Sequence, residues 1–374
     1  SGGAAFQAAG RPFDVQVRAV RYENADDVNN DGQPDDHSDG VATNNANLVD
    51  NATVDGFDTA VTVDGYLAAG PAGASDPGLA GLSSLSGFSN GSVTGSASYN
   101  EVGVIEVAVD FSGAYLGRTI TLVGDSGPVG RFYPEQFSLE NQMDGVLENL
   151  CGGFNYTGQG FGYDIPPNFS LAARAYDANG TGPITQNYRE GWQKLSVTDF
   201  SRNDPVSDLS QVGTQGTLLE VMTTADMPSL VSNGNGTMIY EAGADEFVYT
   251  RDANARIAPF NAELEMELTG IVDSDGVAMP ASELPALQST GTSIRYGRLV
   301  LENAYGPETM DLRVPFEVQI WNGTRFERHA DENCWVYSTA DAVITDTPPN
   351  TVVDGATGML AGGAPQSGSE IVLS

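Results

Sequence analysis

Apolar and polar residues alternate with a period of two along much of this chain, while the 3.6-residue period of a helix is almost missing. No other feature narrows the fold as far. Phe13, Val15, Val17 and Ala19 alternate with Asp14, Gln16 and Arg18, and Ile105, Val107, Val109 and Phe111 alternate with Glu106, Ala108 and Asp110. Leu264, Met266 and Leu268 sit between Glu263, Glu265 and Glu267, and Leu312, Val314, Phe316, Val318 and Ile320 read as one further strand through Pro315. Each run predicts a strand with one buried and one wet face.

Turn clusters separate the runs: Asp177-Ala178-Asn179-Gly180, Asn233-Gly234-Asn235-Gly236, Asp273-Ser274-Asp275-Gly276 and Trp321-Asn322-Gly323. Asn-Gly and Asp-Gly suit positions of positive φ, so these are expected hairpins or strand connections. The 45 glycines and the single lysine, Lys194, point the same way, away from long helices. The fold expected is all-β, as tandem immunoglobulin-like or jelly-roll-type β-sandwiches with long loops. Residues 68–98, rich in Gly, Ser and Ala, read as a long surface loop or as weak strands. A length of 374 residues suggests two to three domains. We expect a β domain with an acidic loop at 1–130, a β-sandwich at 131–275 and a β domain at 276–374 cut short at its C-terminus, with a spacer at Thr347-Pro348-Pro349-Asn350.

Fifty acidic against 16 basic side chains give a net charge of −34, which argues against nucleic acid or an anionic membrane surface as partner. No apolar stretch reaches the roughly 18 residues of a membrane span, and Ser1-Gly2-Gly3-Ala4-Ala5 lacks a signal pattern, so a soluble fragment or processed product is expected. Cys151 and Cys334 have neither CxxC nor Cys/His metal spacing, which leaves one disulfide or two buried thiols.

The sharpest chemical pattern is Asp27-Val28-Asn29-Asn30-Asp31-Gly32-Gln33-Pro34-Asp35. Oxygen donors at positions one, three, five and nine, a glycine at six and a carbonyl at seven suit a hard cation. Asp27, Asn29, Asp31 and Asp35, with the Gln33 carbonyl, are the expected calcium ligands, and the ion's role is structural. Position twelve is Ser38 rather than a bidentate glutamate, so Asp36 or Asp39 would complete the shell. The shorter match at Asp273-Ser274-Asp275-Gly276 is weak.

No catalytic residues are assigned. Gly124-Asp125-Ser126-Gly127-Pro128 resembles a serine-protease nucleophile motif, but Pro128 replaces its second glycine and His37 lies in the acidic loop, so a turn is the better reading. Fifty acids always contain some pair at workable separation, so pairing alone names no glycosidase site. His329 is expected on an exposed loop. Trp192, Trp321, Trp335, Tyr156, Tyr163 and Tyr188 could form a sugar-stacking platform, with core packing the reading preferred. The sequons Asn51-Ala52-Thr53, Asn155-Tyr156-Thr157 and Asn322-Gly323-Thr324 carry little information in so Asn-rich a chain.

Several stretches together resemble the MshQ-like family of secreted bacterial proteins associated with the mannose-sensitive haemagglutinin type IV pilus. They are Phe13-Asp14-Val15, Asp26 to Gly32, Tyr99-Asn100-Glu101-Val102-Gly103, Gly130 to Phe137, Cys151 to Gln159, Thr185-Gln186-Asn187-Tyr188, Arg295 to Leu299 and Glu332-Asn333-Cys334-Trp335. The resemblance implies an exported, mostly β protein of a Gram-negative cell surface, and its cysteine positions imply a Cys151–Cys334 disulfide. It defines no catalytic residues, and the lectin-like domain often found ahead of it is not expected within these 374 residues. The expectation is a non-enzymatic, calcium-stabilised adhesin or structural module, with pilus or cell-surface proteins or glycans as partners. A self-assembling filament or matrix subunit is the alternative. A carbohydrate-active enzyme, the third class, would require a cleft with two convergent carboxylates.

Overall fold

The computed structural model describes residues 4–27, 48, 51–203, 206–210, 219–224, 227–307, 309–338, 342, 352–354, 357–366 and 370–374, with backbone only for 219–224 and 354. The described chain is all-β. Its strands fall into many small sheets, with only short 3₁₀ turns between them.

The first sheet places Gly103–Tyr115 at its centre, between Val61–Ala69 on one side and Val129–Tyr133 and Arg118–Asp125 on the other. Gln7–Ala8 extends it parallel to Val129–Tyr133. The hairpin-like pair Phe13–Arg18 and Ser92–Ala97 faces this sheet, and Phe13, Val15 and Val17 pack onto a core that holds Phe57, Tyr99, Ile105, Phe111 and Phe132. The strand Gly103–Tyr115 and the residue just ahead of it serve two cores: Ile105 and Val107 point into this cluster, while Val104, on the opposite parity, and Val102 belong to the next.

That second core lies between a five-stranded sheet centred on Asn168–Asp177 and a four-stranded sheet centred on Leu264–Ile271. Phe169 and Tyr240 of one layer meet Phe200 of the other at ring separations of 6.1 and 4.6 Å, as in a sandwich. The shared core runs from Val102 to Ile294, so residue 275 falls inside it and residue 130 falls inside the strand Val129–Tyr133 of the first sheet.

The third core is small, with Phe316, Val318, Tyr337 and Leu360. Gly297–Leu301 pairs with Phe316–Trp321, and that strand turns through Asn322-Gly323 into Phe326–Arg328. The single strand expected from Leu312 to Ile320 is corrected: Leu312–Val314 and Phe316–Trp321 belong to different sheets. Pro315 lies at the break, because proline has no amide hydrogen to give a ladder.

Three of the expected turn clusters close antiparallel pairs and the fourth, Asp273 to Gly276, closes the Val272–Ala278 bridge. Residues 68–98 combine both readings: loop, plus the short strands Ser84–Leu85 and Ser92–Ala97.

Candidate functional site

Two clusters of buried polar side chains sit where neighbouring cores meet. At the first, Glu101 lies just ahead of Gly103–Tyr115, and its carboxylate accepts three backbone amides, Val102 N, Gln186 N and Asn187 N, each at 2.9 Å. Asn187 completes the link, its side chain donating to Ser75 O and Val102 O and accepting from Ser75 N. Burial pushes the Glu101 carboxyl up from its ordinary range, against the pull of the amide donors.

Beside it the hydroxyl of Tyr188 donates to Asp273 Oδ2 at 2.6 Å, while Asp273 Oδ1 accepts the amides of Asp275 and Val277. Asp275 takes both arms of the Arg131 guanidinium at 2.6 and 2.7 Å, with side-chain exposures of 12% and 5%. The Arg131 hydrogen bond holds the Asp275 carboxyl below its usual range, whereas burial pushes Asp273 up. Protein donors therefore occupy the carboxylates of the Asp273-Ser274-Asp275-Gly276 turn. In this way Arg131 of the first sheet is tied to a turn of the sandwich.

At the second cluster, Tyr156 stands on a short strand that runs parallel to Ser293–Arg295. Its hydroxyl lies 2.6 Å from His329 Nδ1 and 2.6 Å from Glu332 Oε2. The Arg295 guanidinium reaches His329 Nε2, bonds Asp331 at 2.9 Å and stacks 4.3 Å from the Phe154 ring centre. Arginine only donates, so Nε2 is the bare nitrogen and Nδ1 carries the proton. The chain of donors runs from His329 Nδ1–H to the Tyr156 oxygen, and from Tyr156 O–H to Glu332. Burial, then the Arg295 charge, lower His329 to about 4.

The exposed histidine expected at 329 is thus corrected. His329 is 1% exposed and Glu332 0%, because Phe154 and Tyr156 cover the imidazole. Glu332 Oε1 also accepts Cys334 N and Trp335 N at 2.8 Å. The Cys151–Cys334 disulfide closes the cluster, with a Cα–Cα distance of 5.5 Å and 183 residues between the two positions. The two sulfurs and a Glu332 oxygen lie within 4.8 Å of one another, but the sulfurs are bonded to each other and offer no thiolates.

Of the expected calcium ligands, Asp27 is buried and accepts the Tyr22 hydroxyl at 2.7 Å. Asn29, Asp31, Gln33 and Asp35 lie outside the described residues, as do Asp36, Ser38, Asp39, His37 and the Thr347–Asn350 spacer. Ser126 sits in a turn, as expected: its oxygen accepts Val107 N and its hydroxyl donates to Gly127 O. The six aromatics form no common platform. Trp192 and Tyr188 are in the second core, whereas Trp321 meets Phe326 edge to face and Trp335 lies near Tyr337 at the third. The sequon residues Asn51 and Asn155 are buried by their own hydrogen bonds.

An open cleft of about 560 Å³ lies beside the first cluster, and its two carboxylates, Glu135 and Asp275, are held by Arg11 and Arg131. Sequence reasoning named neither cluster as a site. A signal was present, since Glu101, Arg131, Tyr156, Asn187, Tyr188, Arg295 and Glu332 all fall in the stretches that carried the family resemblance. Asp273, Asp275 and His329 fall outside them.

Two family models match the chain: the third domain of DUF6701 over residues 101–294, and its fourth domain over residues 295–370. The border between them falls at Arg295, inside the second cluster. No curated protein and no solved structure matches.

Proposed function

This chain belongs to the DUF6701 family, and on that footing we propose that it is a non-enzymatic structural module of an MshQ-like protein on a Gram-negative cell surface. It works beside pili and holds an adhesive part at a set position, with cell-surface proteins or glycans as partners. The observation that carries this reading is the placement of the family-like stretches. Glu101, Arg131, Asn187 and Glu332 of those stretches are buried and hydrogen-bonded at the borders between cores, where they lock neighbouring units. Buried networks that are fully paired rigidify and specify one arrangement. A catalytic pair needs free carboxylates at an open cleft, and the two in the cleft beside the first cluster are ion-paired to arginines.

In this reading the acidic loop holds a structural calcium ion through Asp27, Asn29, Asp31, Gln33 and Asp35. Extracellular modules of this kind bind with Kd of roughly 10⁻⁴ to 10⁻³ M, enough for occupancy near millimolar calcium. Immunogold electron microscopy of intact cells of the source organism tests the proposal. Label on the cell surface or along pili is expected, and label confined to the cell interior would overturn it.

One observation favours the alternative of a self-assembling filament or matrix subunit. Among the described residues, Arg118–Asp125 pairs on one side only, and Leu122 and Val123 on it are exposed. Such an edge can accept a strand from a second copy. Ordered fibres of purified chain in the electron microscope would favour that reading.

A further inference from the structure

Seven arginines of this acidic chain are ion-paired to carboxylates: Arg11, Arg131, Arg174, Arg202, Arg295, Arg313 and Arg325. Three exposed arginines without such a partner gather in one place. Among the described residues, Arg251, Arg256 and Arg298 have no carboxylate within 4.0 Å, although acids outnumber bases 50 to 16. Each lies over an aromatic ring instead. Arg298 Cζ is 3.6 Å from the centre of Phe326, Arg256 Cζ is 5.1 Å from Phe326 and 5.2 Å from Trp321, and Arg251 Cζ is 4.8 Å from Tyr296.

The sheet register assembles the group. Arg298 pairs with Gln319 and Trp321 pairs with Phe326, and the period of two puts all four on one face of the three strands Gly297–Leu301, Phe316–Trp321 and Phe326–Arg328. Gln319 Oε1 accepts two N–H groups of Arg298, at 2.9 and 2.6 Å, and orients its guanidinium. Arg251 is set by a bond to Gly297 O at 2.9 Å. The turn that carries Arg256 comes down on the end of this face, where Ala258 lies beside Gly323.

Stacking fixes the guanidinium planes, and the exposure of the three side chains leaves N–H groups turned to solvent. Three like charges on one patch repel, and an anion relieves them. Planar forks of this kind fit a carboxylate or a sulfate in bidentate fashion. Half-buried Trp321 and Phe326 add apolar ring surface between the charges.

We propose that this arginine–aromatic face binds an acidic polysaccharide through its carboxylate or sulfate groups. A second copy of the chain would also bring carboxylates, but with them its whole charge of −34. A single saccharide strand is thin and meets far less of that charge, because it engages only what lies within the screening length of about 8 Å, where Glu317 on the same face is held by Gln319 Nε2. The site is separate from the two joints, so it stands or falls independently of the structural reading.

The test uses the full chain at about 0.15 M salt, where that screening length applies. The probes are heparin oligosaccharides for sulfate, polygalacturonate oligosaccharides for carboxylate and neutral dextran. Binding to at least one acidic probe and not to dextran is expected. The double variant Arg256→Gln/Arg298→Gln should weaken it by about tenfold or more, since hydrogen bonds to charged groups contribute that much. Arg118→Gln, exposed on another sheet, should leave it unchanged. Unchanged melting temperatures of the variants would show that the fold is kept. Binding to neither acidic probe, equal binding to dextran, or equal loss in Arg118→Gln would overturn the proposal. So would sedimentation data in which the double variant abolishes self-association while saccharides never bind, which would assign the face to an acidic protein surface.

Discussion

His329 shows how far a single side chain depends on its neighbours. In the sequence it stands between Arg328 and Asp331, as a loop residue would. In the fold it is enclosed, with an arginine on one nitrogen and a tyrosine on the other. A proton added to Nε2 would face the Arg295 guanidinium, so the folded state holds the imidazole neutral down to about pH 4, against an ordinary value of 6.5. The unfolded chain binds that proton first. Stability from this group is therefore complete above pH 6.5 and is lost as pH falls towards 4, by up to about 3 kcal/mol. Glu101 and Asp273, whose carboxyls burial pushes up, act with the opposite sign: their contribution is present at low pH and lost as pH rises through their raised values. The measurement is therefore a difference. Between pH 7 and pH 4 the melting temperature of His329→Gln should fall less than that of the wild type; parallel curves would contradict the assigned protonation.

At the scale of elements, turn chemistry separates positions that look alike in the sequence. Gly234 and Gly236 belong to one hairpin and have φ of 76° and 79°. A Cβ on Gly234 would meet open space, whereas one on Gly236 would stand 2.2 Å from Thr185 O. Gly234→Ala should cost about 1 kcal/mol, the strain of a left-handed residue. Gly236→Ala should cost clearly more, because the backbone of the sandwich must also shift; urea unfolding of the two variants checks the order. The acidic loop is the other element with its own expectation. Asp31→Ala should lower the melting temperature in millimolar calcium and not in chelator, and equal melting of mutant and wild type in calcium would remove the proposed ion. Strands and hairpins were legible because alternation and Asn-Gly turns are local. The break at Pro315 was passed over, although a proline inside an alternating run is a local signal for one, and here it divides two sheets.

At the scale of the molecule, one covalent bond and two polar clusters join three cores. The Cys151–Cys334 bond spans 183 residues and should stabilise the fold by about 5 kcal/mol in the chain-entropy account. Its effect should also be local. Cys151→Ser/Cys334→Ser is expected to raise amide exchange in residues 295–338, whose core is small, before residues 168–271, whose core lies between two sheets. Uniform loss of protection across both would show that the bond does not act as a joint.

Alternation and turn residues by themselves determined an all-β chain with strands at Phe13, Ile105 and Leu264. These signals suffice because each depends on residues within a few positions of one another. The resemblance of scattered stretches added the disulfide pairing. Only the tertiary structure decided that Arg131 meets Asp275, that Tyr156 meets His329 and Glu332, and that three arginines gather over Trp321, Phe326 and Tyr296. Those meetings join residues up to 176 positions apart. Their partners are chosen by which sheet faces pack together, and burial then makes each unpaired polar group too costly to leave.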